Sequence, residues 1–272
     1  MIDRKYLLTS RQMAQFVNDG LIRFDALVPD DLNRAACDEM AQWSLGVEPM
    51  GQPLSNLWPY RIIGKVFRLP EVEGIIHSLV GPNPDYDHHA VHFVDVGNLI
   101  GQAWHADAII DVRTTHFDVQ LFYFPHDTPR EMGGTLFLPG SHFRRISETD
   151  IARYQNFVGQ MPIVCKAGTL LAVHQGMWHC GQPNRTNQKR YVFKLRLNPT
   201  VRQVRLWNTD DLDDPSIPQV LNSKHKWYGN EGRIEVVNRI KLWRSLTGND
   251  RFDVLHLLSR IENRPERELQ AV

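Results

Sequence analysis

His105 and Asp107 stand two positions apart in the run from Gly101 to Ile110, GQAWHADAII. In an extended strand alternate side chains share a face, so this imidazole and carboxylate can converge on one point. That is half of a metal site. A neutral imidazole and a carboxylate, completed by a second imidazole from elsewhere in the chain, form the facial triad that holds non-haem Fe(II) and leaves coordination positions open. A His-x-Asp triplet is common by chance, so the rest of the chain has to supply the argument.

Two histidines, His174 and His179, stand close together further down the chain, and either completes a triad on chemical grounds. Arg190 separates them. An Fe(II) oxygenase of this type needs a 2-oxo acid, whose far carboxylate must be gripped by a buried cation with planar, two-pronged donors. Arginine has that geometry and lysine does not. If His179 ends one strand and Arg190 begins its hairpin partner across the turn Pro183 to Lys189, both reach one cavity. His174 is then left to a supporting or structural role.

The elements that must position these residues read as a β-rich core with helices around it. Thr9 and Ser10, an amphipathic body and Gly20 form a capped, glycine-stopped helix. Leu21 to Phe24 reads as a strand, a second helix follows Pro29, and Leu69 to Gly81 is a third. Leu45 to Tyr60 reads as a loop, and Asp85 to Val96 as a strand. His88, His89 and His92 on that strand have no carboxylate at matching spacing and read as structural or surface residues. From Trp104 to Thr200 short β-type runs alternate with turns, as in a sandwich or barrel. Val119 to Phe124, Gly133 to the Pro139-Gly140 turn, and Tyr191 to Leu197 are strands. Met161 to Cys165 and Thr169 to Val173 form a hairpin. Beyond Pro199 the acidic stretch from Trp207 is a loop, and helices are expected over Arg233 to Leu246 and Phe252 to Ile261.

Composition excludes several classes. The 272 residues carry a formal net charge of zero with 23% charged residues, so no basic field for nucleic acid is present. There is no apolar run of membrane-spanning length and no signal-peptide core near Met1, which points to a cytoplasmic protein. Three scattered cysteines, Cys37, Cys165 and Cys180, argue against a disulfide framework.

The ordered set of His105-x-Asp107, Gly133-Gly134-Thr135 with Pro139 to His142, Ala167-Gly168, and Trp178-His179 through Asn184 to Arg190 resembles the phytanoyl-CoA 2-hydroxylase (phytanoyl-CoA dioxygenase) family of Fe(II)/2-oxoglutarate oxygenases. Each motif is weak alone; their order and spacing are specific. The resemblance runs from the first helix to Pro199. It implies a mainly β protein with flanking helices, a double-stranded β-helix (a jelly-roll or cupin-like barrel) with helices on the outer face of its larger sheet. The expected layout is a single 1–272 unit, with an opening helical segment over 1–100, a barrel core over about 100–200 and a C-terminal helical extension over about 201–272. The resemblance further implies His105, Asp107 and His179 as iron ligands, Arg190 on the tail carboxylate of 2-oxoglutarate, and a polar group beside that cosubstrate, for which Gln102 and Gln120 are the candidates. Dioxygen is the co-reactant, and succinate and CO2 leave. Because Asp107 is present where halogenating relatives carry a small residue, hydroxylation of a small-molecule substrate is favoured. Epoxidation, desaturation or cyclisation by the same cofactors is the alternative, as is a cupin-like metal- or ligand-binding protein without turnover, which would have no need of Arg190.

Strand period adds one expectation. If Arg190 faces the cavity, so do Val192, Lys194 and Arg196, while Tyr191, Phe193, Leu195 and Leu197 face the helices. Buried cations need anionic partners. Two readings stay open: they bind an acidic substrate, or they pair with internal Asp or Glu. The expected assembly is a monomer or homodimer, with no nucleic-acid or membrane partner.

Overall fold

A computed structural model of the chain describes residues 2–42, 61–107, 113–144, 148–227 and 229–258, apart from the side chains of His88, His89 and Glu148. The loop expected over 45–60 lies outside them. Helix α1, Ser10–Asp19, starts where its local signals say it should. The Thr9 hydroxyl accepts from the Gln12 backbone N–H and the Gln12 side chain accepts from that of Thr9, a reciprocal cap. It stops at Gly20, whose φ of +77° admits the left-handed turn that brings the chain into β1, Leu21–Phe24. Further helices follow as α2, Asp30–Gln42, the unanticipated short α3, Ile62–Val66, and α4, Pro70–Val80, which has proline in its first turn and is closed by Gly81.

Two antiparallel sheets make up the β core. The larger has the order β1-β6-β3-β8-β2, with β2 Asp85–Val94, β3 Val119–Phe124, β6 Thr169–His174 and β8 Arg190–Asn198. The smaller has the order β5-β4-β7, from Met161–Pro162, Thr135–Phe137 and His179–Gly181. Alternation sorts the larger sheet's side chains into two sets. Leu121, Tyr123, Leu170, Ala172, Phe193, Leu195 and Leu197 pack against helix residues such as Phe16, Val17, Met40 and Leu79. Phe122, Phe124, Leu171, Val173 and Val192 point the other way, onto Phe137 of the smaller sheet, Ile163 and Met177. Each such fully buried large side chain contributes roughly 1.5–3 kcal/mol. The helical layer and the space between the sheets are therefore separate apolar clusters on the two faces of one sheet.

Two expectations fail here. The runs 161–165 and 169–173 are not hairpin partners, because the chain between them changes sheets. Met161 and Pro162 pair with β4, Cys165 exchanges backbone hydrogen bonds with Thr128, and β6 pairs with β1 and β3. The helix expected over Phe252 to Ile261 is absent over 252–256, where Leu255 and His256 take positive φ; 259–261 lie outside the described residues.

The chain after β8 packs back on the helical layer. Asp211 accepts from the backbone N–H groups of Ser10 and Arg11 at the open start of α1, and the Trp207 indole donates to Ser10 Oγ. Two more helices, Ser216–Leu221 (α6) and Glu231–Thr247 (α7), follow the short α5, Glu148–Ala152. They add Ile217, Leu221, Leu242 and Trp243 to the helix-side core. Ile234 of α7 is exposed. No described helix is long and apolar enough to cross a membrane.

Candidate metal centre

His179 begins β7, and the segment 101–107 lies alongside it. His105 and His179 exchange both backbone hydrogen bonds, at 3.0 and 2.8 Å, and Gln102 N donates to Gly181 O at 2.8 Å. These contacts do not make a regular strand. His105 sits in an isolated bridge and Asp107 in a turn, so the two side chains converge through a local bend rather than through the extended alternation that their spacing suggested. Nor is β8 the hairpin partner of β7: β7 pairs with β4 in the smaller sheet and β8 with β2 and β3 in the larger. The two strands face each other across the space between the sheets, which still brings their side chains together.

The ligand-type atoms of His105, Asp107 and His179 lie within 4.8 Å of one another, the one such group among the described residues. His179 Nε2 is 3.5 Å from Asp107 Oδ2. Each ring is held at its other nitrogen by a backbone carbonyl, Nδ1 of His105 by Ala103 O at 2.9 Å and Nδ1 of His179 by Met177 O at 3.0 Å. A carbonyl only accepts, so both Nδ1 atoms carry the proton and both Nε2 atoms present a lone pair. Phe137 stacks on the His179 ring and Phe122 meets it edge-on. The Trp178 N–H donates to Ser141 Oγ, steadying the chain just before His179. None of these supports carries a sequence signal, since two are backbone carbonyls.

Burial, aided by the nearby Lys194 ammonium and opposed by Asp107, pulls the His179 pKa down to about 3, so the imidazole is neutral, as a metal requires. Burial works against the Asp107 carboxylate, but His179, Lys194, His105 and a hydrogen bond from Gln120 outweigh it and hold its pKa below the ordinary range. Two imidazoles and one carboxylate on one face fit a divalent metal that takes mixed nitrogen and oxygen ligands and keeps open positions.

The remaining expected residues divide. Arg190 opens β8, is buried, and donates through Nη1 to Met132 O at 3.1 Å and Gln182 O at 3.0 Å. Burial draws its pKa down to about 10, which leaves it cationic at neutral pH. Gln120 on β3 is buried and reaches Asp107. Gln102 is exposed, accepts from Gly181 N at 2.9 Å, and lines an outer groove with Trp104, Leu136 and Cys180. His174 turns toward the rings of Phe16, Phe117 and His142 in the helix-side layer. His92 joins no ligand group among the described residues. The two inward cations of β8 also part company. Arg196 pairs with Asp87 at 2.8 Å, while Lys194 puts Nζ 3.2 Å from His179 Nε2 and 3.9 Å from Asp107 Oδ2.

The family profile described as Phytanoyl-CoA dioxygenase (PhyH) matches residues 61–192. No curated protein matches the sequence. Among solved structures, HygX from Streptomyces hygroscopicus, with nickel and 2-oxoglutarate bound, aligns with a TM-score of 0.58 at 12% identity, over 77% of this chain and 93% of its own. The non-haem alpha-ketoglutarate-dependent epimerase SnoN from nogalamycin biosynthesis aligns at 0.56 and 15% identity, over 70% and 80%. EctD from S. alaskensis, with 2-oxoglutarate and 5-hydroxyectoine, aligns at 0.55 and 15%, over 74% and 80%. At these identities the likeness to the three is one of fold. The profile match is one of sequence, and it spans His105, Asp107, His179 and Arg190; over this stretch the chain is similar to the phytanoyl-CoA dioxygenase family.

Proposed function

We propose that this chain is an Fe(II)/2-oxoglutarate-dependent oxygenase that hydroxylates a small-molecule substrate, with His105, Asp107 and His179 as iron ligands and Arg190 as the anchor for the far carboxylate of 2-oxoglutarate. The observation that carries the reading is the pair of imidazoles locked by Ala103 O and Met177 O so that both Nε2 lone pairs converge with Asp107. The facing sheets are then the two halves of a double-stranded β-helix. HygX and EctD, whose structures hold 2-oxoglutarate, share the fold.

Bound at these donors, ferrous iron with 2-oxoglutarate and dioxygen supplies the oxidising power, with succinate and CO2 as coproducts. The chain does the rest. The two backbone carbonyls fix ring orientation and tautomer, and Asp107 offsets part of the ion's charge. Gln120 steers that carboxylate. Arg190, with Nη1 tied to two carbonyls, keeps Nη2 and Nε to form a fork on a carboxylate. Phe122 and Phe137 against His179 keep water off the ligand ring. Gln102 accepts from the Gly181 N–H and so steadies β7. SnoN, an epimerase, has the same fold, so the oxidative outcome rests with substrate placement.

The test is anaerobic addition of Fe(II) and 2-oxoglutarate. A weak visible charge-transfer band, followed by succinate release when air is admitted, is the expected result. No band and no 2-oxoglutarate consumption would make the chain a binding protein without turnover.

A further inference from the structure

Lys194 is the one group near the triad whose electrostatics the oxygenase reading leaves unsettled. Its side chain is 12% exposed, and its ammonium donates to His179 Nε2 at 3.2 Å and lies 4.8 Å over the Phe122 ring. Among the described residues the only carboxylate near it is Asp107, at 3.9 Å. Both of these partners are the atoms that iron would claim. Once the triad is loaded, the lone pair on His179 and the charge on Asp107 are committed elsewhere, and the ammonium is left beside a dication. Its root is fixed, because its backbone is paired on both sides, with Phe122 of β3 and Ala90 of β2. The Phe122 ring beneath it offers no acceptor oxygen. Arg196, two residues on, has no such need because Asp87 neutralises it. An enclosed ammonium without an anion is costly, so a ligand that brings one is favoured there.

Charge counting says which ligand. Ferrous iron, Lys194 and Arg190 bring four positive charges, and Asp107 with the two carboxylates of 2-oxoglutarate brings three negative ones. One negative charge is missing. We propose that Lys194 is a specificity-determining residue that holds the acidic group of an anionic substrate, a carboxylate in the simplest case, beside the metal. The proposal rests on the oxygenase reading and names its substrate class.

The experiment uses Co(II)-loaded protein with 2-oxoglutarate under anaerobic conditions, comparing wild type with Lys194→Met and Lys194→Arg, each first checked by thermal melting. The cobalt absorption spectrum and the dissociation constant of 2-oxoglutarate report the site. Small carboxylic acids and their matching primary amides are then titrated into the ternary complex and read by the change in the cobalt spectrum. Expected are cobalt and 2-oxoglutarate binding in all three proteins, with cobalt bound no more weakly by Lys194→Met, which loses a cation beside the ligand atoms, and a wild-type preference for acids over amides. That preference should weaken by about tenfold or more in Lys194→Met, the scale of one charge-assisted hydrogen bond, and survive in Lys194→Arg. Absence of any difference in acid preference between wild type and Lys194→Met overturns the proposal. So does a loss of 2-oxoglutarate affinity in Lys194→Met with the acid preference intact, which would assign the ammonium to the cosubstrate's own carboxylate. If wild type binds neither cobalt nor 2-oxoglutarate, the oxygenase reading itself has failed, and that result is seen before any variant is compared.

Discussion

Replacing Arg190 by lysine keeps a cation at the start of β8 and removes the fork, which separates charge from geometry at the proposed cosubstrate anchor. Nη1 of Arg190 is spent on Met132 O and Gln182 O, and this leaves Nη2 and Nε for a carboxylate. A lysine ammonium has three donors on one atom and cannot serve two carbonyls and two carboxylate oxygens at once. At least one charge-assisted hydrogen bond is lost, worth about 1.5–3 kcal/mol. At roughly 1.4 kcal/mol per factor of ten, 2-oxoglutarate should bind about tenfold to a hundredfold more weakly. Arg190→Met removes the charge too and should cost more, and it leaves both carbonyls without their donor, so its melting temperature should fall as well. Metal affinity should stay nearly constant in Arg190→Lys, because the guanidinium donates to backbone carbonyls and to no triad residue. Calorimetric titration of 2-oxoglutarate into nickel-loaded protein, beside a separate nickel titration, measures both quantities. Equal loss of metal and cosubstrate, or 2-oxoglutarate binding unchanged within a factor of about two, refutes the anchor.

Three other substitutions test the scaffold. His142 is wholly buried, donates from Nε2 to Val17 O, and is held neutral by burial, with His174, Arg239 and His225 adding to the effect, so that its pKa lies well below the usual 6.5. The unfolded chain binds that proton first, so the histidine costs stability as pH falls below about 6.5, by up to about 1.4 kcal/mol per pH unit. Urea unfolding of the metal-free protein at pH 6.5 and 5.5 should show a steeper loss for wild type than for His142→Gln; parallel losses would contradict the assignment. Comparison with the variant cancels His225, whose pKa is raised and whose contribution has the opposite sign. At Gly133, φ is +64° and an added Cβ would stand 1.9 Å from Pro183 O, whereas at Gly97, with φ +66°, it would meet nothing within 4 Å. Gly97→Ala should lose only the left-handed backbone term of about 1–2 kcal/mol. Gly133→Ala should lose clearly more and also weaken 2-oxoglutarate binding, since the backbone it displaces adjoins both carbonyls that hold Arg190. Equal urea midpoints for the two variants would show that the contact relaxes freely.

What could be read from residues alone follows how locally each feature is determined. Helix α1 was legible from Thr9 to Gly20 because cap, apolar stripe and glycine stop all act within a few residues. The supposed hairpin over 161–173 was not, because its real partners, Thr128, Thr135 and the residues of β1 and β3, lie far away in the chain, and a short apolar run beside a turn pairs as readily across sheets as within one. The helix expected after Phe252 had apolar spacing and no cap, and it lost to a turn. At the metal centre His105 and Asp107 do meet His179, but for a different reason from the one that singled them out. Alternation predicts facing side chains only where a ladder enforces it. Strand β8 is paired on both sides, so Arg190, Val192, Lys194 and Arg196 fall on one face as their spacing requires. The segment at His105 is tied to β7 through one bridge and single contacts, which leaves the chain free to turn at Asp107. The pairing of Arg196 with Asp87 and the isolation of Lys194 were beyond the reach of period, since both sit on the same face at the same spacing. What separates them is the residue opposite: Lys194 faces Ala90 and Phe122, whereas Arg196 lies where β2 slips its register and brings Asp87 within reach. A one-residue irregularity in the neighbouring strand thus decides which cation is neutralised by the protein and which is left for a ligand.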